Sequence, residues 1–466
     1  MKICFLIPDG IGIRNYLYSD ILKLLIQQGH EIVIWHALDP EVITLTTSGK
    51  GLTINQREFT YFLDPPLIQV LRESSAFARL KHNSKLTGNS SIMMNWPDKK
   101  GSWKRRMSLT LSELIGKKLK GYSAIVGIEK ICSSQLRKSA AYRSYKSELL
   151  KIKPDVLFCT HQRFFGAAYA MIAAEDLGIK TATAIFSWDN LPKARLAFKP
   201  NYYLVWSDFM KRELEYFYPE IEKENIFVTG TPQFDFYRKE NLIQSRERFA
   251  ARFGLDPSKR WVLFSGDDAK TSPNDHLYLR DIAESLKKED NIQIIFRQVP
   301  VEDTSRYQQV LNQYPQIVHI NPFWKKGGYW QAFFPFPEDI AHLVNLAFHC
   351  DTVINIGSTM AMDFAFFDKP ALYLRYDHQP DQTWSVKDIY RFQHFRSMEG
   401  LDPVGWIKSP QEIHSMILKA IHSPSEIGRD RGKWLDLIVQ PHSSLSSAEQ
   451  VASVLQGLAL SQQKVY

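Results

Sequence analysis

The stretch Val353–Leu374, VINIGSTMAMDFAFFDKPALYL, decides the fold. An apolar run ends at Asn355-Ile356-Gly357-Ser358-Thr359, a helical pattern follows, and Lys369-Pro370 leads into a second apolar run. Two short apolar runs bracketing a helical pattern read as a strand–helix–strand unit of a parallel sheet. The turn therefore stands at the carboxyl end of a strand and the amino end of a helix. Unpaired backbone N–H groups and the helix dipole favour an anion there. Gly357 lets the chain approach closely, and Ser358 and Thr359 add hydroxyl donors. Asp363, one helical turn on, is spaced to accept hydrogen bonds from a ribose diol. The alternative is ordinary N-capping by Ser358 or Thr359, with Asp363 as a first-turn acid.

Working outward, the same alternation fills most of the chain. KICFLI, EIVIWH, PDVLFCT, KTATAIF, NYYLVW and NIFVTG read as strands of a first set, with helices such as FFGAAYAMIAAEDLGI between them. Ser207 is the predicted N-cap of the helix SDFMKRELEYFYPE. A second set begins at RWVLFSG (Arg260–Gly266) and continues through NIQIIFR, QIVHI and DTVINI. The reading is an α/β protein of two Rossmann-like domains facing a cleft, with ligands at the carboxyl ends of the strands. The predicted domains are residues 1–235 and 236–466, the second carrying a helical tail. Residues 81–106, rich in Asn, Ser, Gly and Lys, read as a long loop or mobile insertion within a basic segment of about 81–150.

A chain of 466 residues suits two domains with insertions. Its 44% hydrophobic and 23% charged residues exclude a disordered chain. The N-terminal apolar run stops at Pro8-Asp9-Gly10, too short for a signal peptide. No stretch of about 18 apolar residues occurs. Cys4, Cys132, Cys159 and Cys350 are scattered and read as free thiols in a reducing cytoplasm. The net charge of +8 is concentrated: Lys99–Lys153 holds 15 Lys/Arg against three Glu. This segment includes MSLTLSELIGKKLKGY (Met107–Tyr122), which mixes Leu and Ile with Lys. It reads either as a solvated helix face or as a contact with anionic lipid headgroups. No nucleic-acid motif accompanies the charge. No HExxH or HxxxH pair predicts a metal, and adjacent Asp267-Asp268 is not a spaced metal-binding pair.

For a proton-accepting group the first set of strands offers three residues. Asp9 follows strand one, His161 follows the strand VLFCT, and Asp189 lies in FSWDNLPKARL. The titration range of an imidazole suits base work, and a carboxylate can do the same. The structural alternatives are a turn-forming Asp9-Gly10, an incidental loop His161, and an Asp189 that caps the next turn. Arg163 and Lys193 are candidate counter-charges for a diphosphate.

FPFPEDIAHLVNLAFHCDTVINIGSTMAMDFAFFDKPALYL resembles the donor-binding half of GT-B glycosyltransferases, a layout shared with UDP-N-acetylglucosamine 2-epimerases and teichoic-type glycerophosphotransferases. FSWDNLPKARL, VTGTPQFDFY and IRNYLYSDILKLLIQQGHEIVI resemble segments of bacterial surface-carbohydrate transferases. The resemblance implies that Gly357, Ser358 and Thr359 hold a donor diphosphate, joined by Ser265 and Gly266. It implies that Asp363 meets the ribose, and that Phe336 and Pro337 lie near the nucleobase. It also implies Arg297 as a donor contact, although Arg297-Gln298-Val299-Pro300 lacks the His of the relatives' Arg-x-His-Pro.

The expected function is a metal-independent glycosyltransferase. It would move a sugar from a nucleotide-activated donor, its substrate, to a glycan or lipid-linked acceptor in surface polysaccharide assembly, with no cofactor. It is expected in the cytoplasm, peripheral at the inner membrane face through residues 99–153, and without nucleic-acid partners. The alternatives are a nucleotide-sugar 2-epimerase, a CDP-glycerol-type glycerophosphotransferase, and a non-catalytic nucleotide-sugar-binding scaffold.

Overall fold

The computed structural model describes the chain except residues 11, 49–50, 53, 326–332, 379–383, 441–443 and 463–466. It folds into two compact units. The first contains Met1–Gln233 and the C-terminal Ser443–Tyr466, and the second contains Phe234–Lys325 and Pro335–His442.

Seven parallel strands make the sheet of the first unit: β1 (Lys2–Ile7), β2 (Glu31–His36), β3 (Asn55–Glu58), β4 (Val156–Cys159), β5 (Lys180–Ala184), β6 (Tyr202–Val205) and β7 (Ile226–Val228). Their order is β3-β2-β1-β4-β5-β6-β7. β1 lies at the centre, with Leu6 opposite Trp35 on one side and Cys159 on the other. Ile3 to Ile7 are fully buried, as a strand covered on both faces requires. Trp35 packs edge-on to Phe59 and Tyr145, with ring centroids 5.4 and 5.5 Å away.

Between β3 and β4 lies a layer of helices, Pro66–Thr87, Trp103–Lys118, Tyr122–Arg137 and Ala140–Ile152. The expected loop over 81–106 is therefore mostly wrong: helix runs to Thr87, Gly88 closes it in the left-handed region, and Ser90–Asn95 forms a 3₁₀ turn capped by the Asn89 side chain. The physical reason is a polar buried face. Arg79 is buried and held by Glu129 and Glu220, and over 81–87 only Asn83 is buried, so the last turns of the helix carry no apolar period to read. The C-terminal helix Ser447–Gln462, counted with the second domain from the sequence, belongs to the first unit. It buries Val451, Ala452, Leu455 and Ala459 and packs on the helix Ile21–Gln27.

Six parallel strands make the sheet of the second unit: β8 (Arg260–Ser265), β9 (Ile292–Arg297), β10 (Val318–His319), β11 (Thr352–Asn355), β12 (Ala371–Leu374) and β13 (Gly405–Ile407). Their order is β10-β9-β8-β11-β12-β13. β8 is central, with Phe264 opposite Phe296 in β9 and Ile354 in β11. Each sheet thus runs outward from its first strand on one side, then crosses over to the other. That reversal creates a switch point, where the loops after two neighbouring strands diverge and leave a crevice. The switch points lie between β1 and β4, and between β8 and β11.

Candidate active site

At the switch point of the first unit, the loop after β1 carries Asp9 and the loop after β4 carries His161. The sheet register brings the two together: His161 Nδ1 lies 2.7 Å from Asp9 Oδ2. Asp9 is 1% exposed and His161 8%. The imidazole edge rests on the Phe186 ring, centroids 4.6 Å apart at 89°. With Asp9 ionised, Nδ1–H donates to it, and the lone pair is on Nε2. An imidazole held in one tautomer by a buried carboxylate is suited to accepting a proton at Nε2 and carrying the resulting charge. Gly12 permits this packing. A Cβ there would lie 2.4 Å from Thr160 Oγ1 and 2.7 Å from Thr160 Cβ, the residue before His161.

Asp189 takes the structural course. It accepts hydrogen bonds from Ser187 Oγ at 2.7 Å and Asn190 Nδ2 at 2.9 Å, and it pairs with Lys193. Arg163 Nη1 donates to Asn190 Oδ1 at 3.1 Å. Gln162, which sequence reasoning passed over, is 2% exposed and accepts the Phe186 amide through Oε1 at 3.2 Å. It fixes the loop that bears Phe186. A lone glutamine after a strand carries no periodic signal, so only the fold reveals it.

At the second unit's switch point, Ser265 ends β8 and Gly266 follows it, and Gly357-Ser358-Thr359 follows β11. Gly357 has φ +69°, and a Cβ there would meet the Phe395 ring at 2.6 Å, so both conformation and space call for glycine. The Ser358 amide donates to Asn355 Oδ1 at 2.9 Å, and the Ser358 carbonyl accepts Tyr373 Oη at 2.9 Å. The turn is therefore pinned on both sides. The helix after it is short, Met360–Ala365. Thr359 is at the cap position with no side-chain cap hydrogen bond. Thr359 is exposed and Asp363 buried.

Arg297 has a different place from the one the resemblance implied. It is 5% exposed, and its Nη2 donates to both oxygens of Asp339, at 2.8 and 2.9 Å. Asp339 also accepts the Phe323 amide at 2.6 Å and Trp324 Nε1 at 2.8 Å. The guanidinium is thus taken up inside the fold, a role that the missing His of the motif gave no means of foreseeing. Gly266 faces Tyr307, whose hydroxyl would lie 2.7 Å from an added Cβ. That hydroxyl donates at 3.2 Å to buried Asp275, whose carboxyl burial pushes up to about 6. Phe336 caps the helix Pro337–His349, with its ring 4.7 Å from Phe323.

No protein-family model and no curated protein sequence matches the chain. Solved structures do. UDP-GlcNAc 2-epimerase from Neisseria meningitidis, bound to UDP-GlcNAc, superposes with a TM-score of 0.52 at 10% identity over 98% of this chain and 100% of that one. UDP-GlcNAc 2-epimerase from Methanocaldococcus jannaschii gives a TM-score of 0.52 at 12% identity, also over 98% and 100%. At these identities the likeness is one of fold, and the chain accordingly has the GT-B-like fold of two Rossmann-like α/β units that these epimerases share.

Proposed function

We propose that the protein is a glycosyltransferase using a nucleotide-activated sugar, with His161 as the base and Asp9 as its positioning residue. The observation that carries this reading is the 2.7 Å His161–Asp9 pair at a switch point, the place where α/β sheets take ligands. In the reaction, an acceptor hydroxyl gives its proton to His161 Nε2 as its oxygen bonds to the sugar C1. The C1–O bond to phosphate breaks, and the nucleoside diphosphate leaves with that electron pair. The pinned Gly357-Ser358-Thr359 turn, with Ser265, is the assigned donor-diphosphate site, and Phe336 and Pro337 are assigned to the nucleobase. Thermal unfolding with UDP, GDP, CDP, CMP or ADP tests the donor assignment. One nucleotide is expected to raise the melting temperature of the wild type but not of Ser358→Ala/Thr359→Ala. No shift with any of them would sink it.

A second reading, a nucleotide-sugar 2-epimerase, is favoured by the fold of the solved structures above. It would take a proton from C2 rather than from an acceptor hydroxyl. Incubation in deuterated water separates the two. An epimerase introduces deuterium at C2 of the sugar nucleotide, and a transferase releases nucleotide without it.

The proposed place of work is an anionic membrane surface. The helix Trp103–Lys118 buries Leu109, Ser112 and Gly116, the last so close to the helix Pro66–Thr87 that a Cβ would lie 2.8 Å from the Ser74 carbonyl. On the opposite side it leaves Trp103 (61%), Met107 (60%), Leu111 (46%) and Leu114 (54%) exposed. Lys104, Arg105, Lys117 and Lys118 on the same helix are also exposed. Apolar residues at spacings of four, four and three, among cations, suit insertion between anionic headgroups, where each cation contributes about 1 kcal/mol. Binding to phosphatidylglycerol vesicles is expected to fall in Met107→Ser/Leu111→Ser and in Lys117→Glu/Lys118→Glu/Lys120→Glu. Unchanged binding in both would exclude this surface. No described helix is long and apolar enough to cross a membrane.

A further inference from the structure

The first unit contains a cavity of about 810 Å³, inside the range of roughly 300–1,000 Å³ typical of small-molecule sites. It is walled by the inserted helices Pro66–Thr87 and Tyr122–Arg137, by the helix Gly166–Asp176, and by the segment 194–199. Val126, Leu136, Phe165, Ile172, Leu196 and Phe198 give it an apolar lining.

Its charges are unevenly matched. Seven Lys/Arg line it against four Glu. Most of the cations are satisfied. Arg79 binds Glu129 and Glu220, Lys199 binds the same two, and Arg72 and Arg195 share Glu73. Arg137 pairs with Asp176. That leaves Lys130, exposed at the rim, and Arg163. Arg163 lines the cavity with its side chain exposed to solvent, and desolvation by the neighbouring protein pushes its pKa below that of a free guanidinium. Its hydrogen-bond partner is the neutral amide of Asn190. Asp189 acts on it through space but is itself paired with Lys193. The fourth acid, Glu175, has its carboxyl pushed up to about 7 by burial and supplies only part of a counter-charge near neutrality. A cation that lines an apolar-walled cavity and has no carboxylate in ion-pair contact among the described residues is stabilised by an incoming anion.

We propose that this cavity binds an amphipathic anion, an aliphatic chain ending in a phosphate or carboxylate, with the headgroup on Arg163 and the chain against the apolar lining. Arg163 shares the loop after β4 with His161, which does not itself line the cavity; an amphipathic anion held there suits the part of an acceptor lipid. That role rests on the transferase reading; the binding itself rests on the cavity alone.

The test is calorimetric titration of the full chain with decyl phosphate, decanoate, decanol and inorganic phosphate. At least one of the two amphipathic anions should saturate a single site, at least tenfold tighter than decanol or inorganic phosphate, and the tighter of the two identifies the headgroup. Arg163→Met should weaken the anion at least tenfold and leave decanol unchanged, and Ser133→Trp, which fills the cavity from one wall, should weaken both. No saturable binding of either anion would overturn the inference, as would equal affinity for decanol or binding unaffected by both variants. A nucleotide thermal shift on the same samples keeps the outcomes apart. Loss of anion binding with the nucleotide response intact removes only this inference.

Discussion

Removing either partner of the Arg297–Asp339 pair should destabilise the second unit, and by unequal amounts. The pair is buried, with side chains 6% and 2% exposed, and the carboxylate collects four hydrogen bonds from Arg297, Phe323 and Trp324. Breaking a buried ion pair from one side costs about 3–5 kcal/mol, because a charge is left in the interior without its partner. Arg297→Met leaves Asp339 with the Phe323 amide and Trp324 Nε1, which softens the loss to about 3 kcal/mol. Asp339→Ala strands the guanidinium and both of those donors, at about 1–3 kcal/mol for each orphaned donor, so its cost is about 5 kcal/mol or more. For a unit of this size, each kcal/mol moves the melting temperature by about 2–4 °C. Scanning calorimetry should therefore show drops of about 6–12 °C for Arg297→Met and about 10–20 °C for Asp339→Ala. The reasoning would be refuted if Arg297→Met melted within a degree of the wild type while losing its nucleotide response. Arg297 would then be a donor ligand, as the resemblance implied, and not an internal brace.

Three further outcomes follow from the geometry. Glu213 is buried, its Oε2 has no hydrogen-bond partner among the described residues, and burial, with Asp189 adding to it, pushes its carboxyl up to about 8. Its folded pKa lies above the unfolded value, so its contribution to stability is complete below about pH 4.5 and is lost as pH rises towards 8. Glu213→Gln should thus gain about 3–5 kcal/mol between pH 7 and 9 and nothing at pH 4, and parallel melting curves across pH would contradict this. Gly12→Ala must displace Thr160 beside His161, so urea unfolding should show a loss of about 1–3 kcal/mol, and an unperturbed variant would mean that the loop relaxes freely. Gly116→Leu should cost a similar amount by forcing the helix Trp103–Lys118 off the Ser74 carbonyl, measured in the same way.

The parallel sheets were legible because buried strands announce themselves as short apolar runs, and the alternation with helices left few topologies open. Asp9 and His161 could each be nominated from their places after strands, but their pairing could not: it depends on β1 and β4 being neighbours although some 150 residues separate them. Asp189 had a capping alternative from the start, but its bonds to Ser187 Oγ and Asn190 Nδ2 join side chains of its own loop and cap no backbone amide of the next turn. The end of the helix Pro66–Thr87 was misread as loop because over 81–87 only Asn83 is buried, and hydrophobic periodicity cannot report a polar contact. The short helix after Gly357 was read as longer because Phe364–Phe367 continues the apolar pattern beyond Ala365, where the helix stops.

The most direct test of the central claim is mass spectrometry of a panel of UDP-, GDP-, CDP- and CMP-linked sugars incubated with the wild type and with His161→Ala, in the presence of a bacterial lipid and glycan extract as acceptor. The account predicts that the wild type consumes one donor and releases its nucleotide. His161→Ala should still bind that nucleotide but turn the donor over roughly 10²–10⁴-fold more slowly, the usual contribution of a positioned base. Equal turnover by the two proteins, or no donor consumed by the wild type, would contradict the assignment of His161 as the base of a sugar transfer.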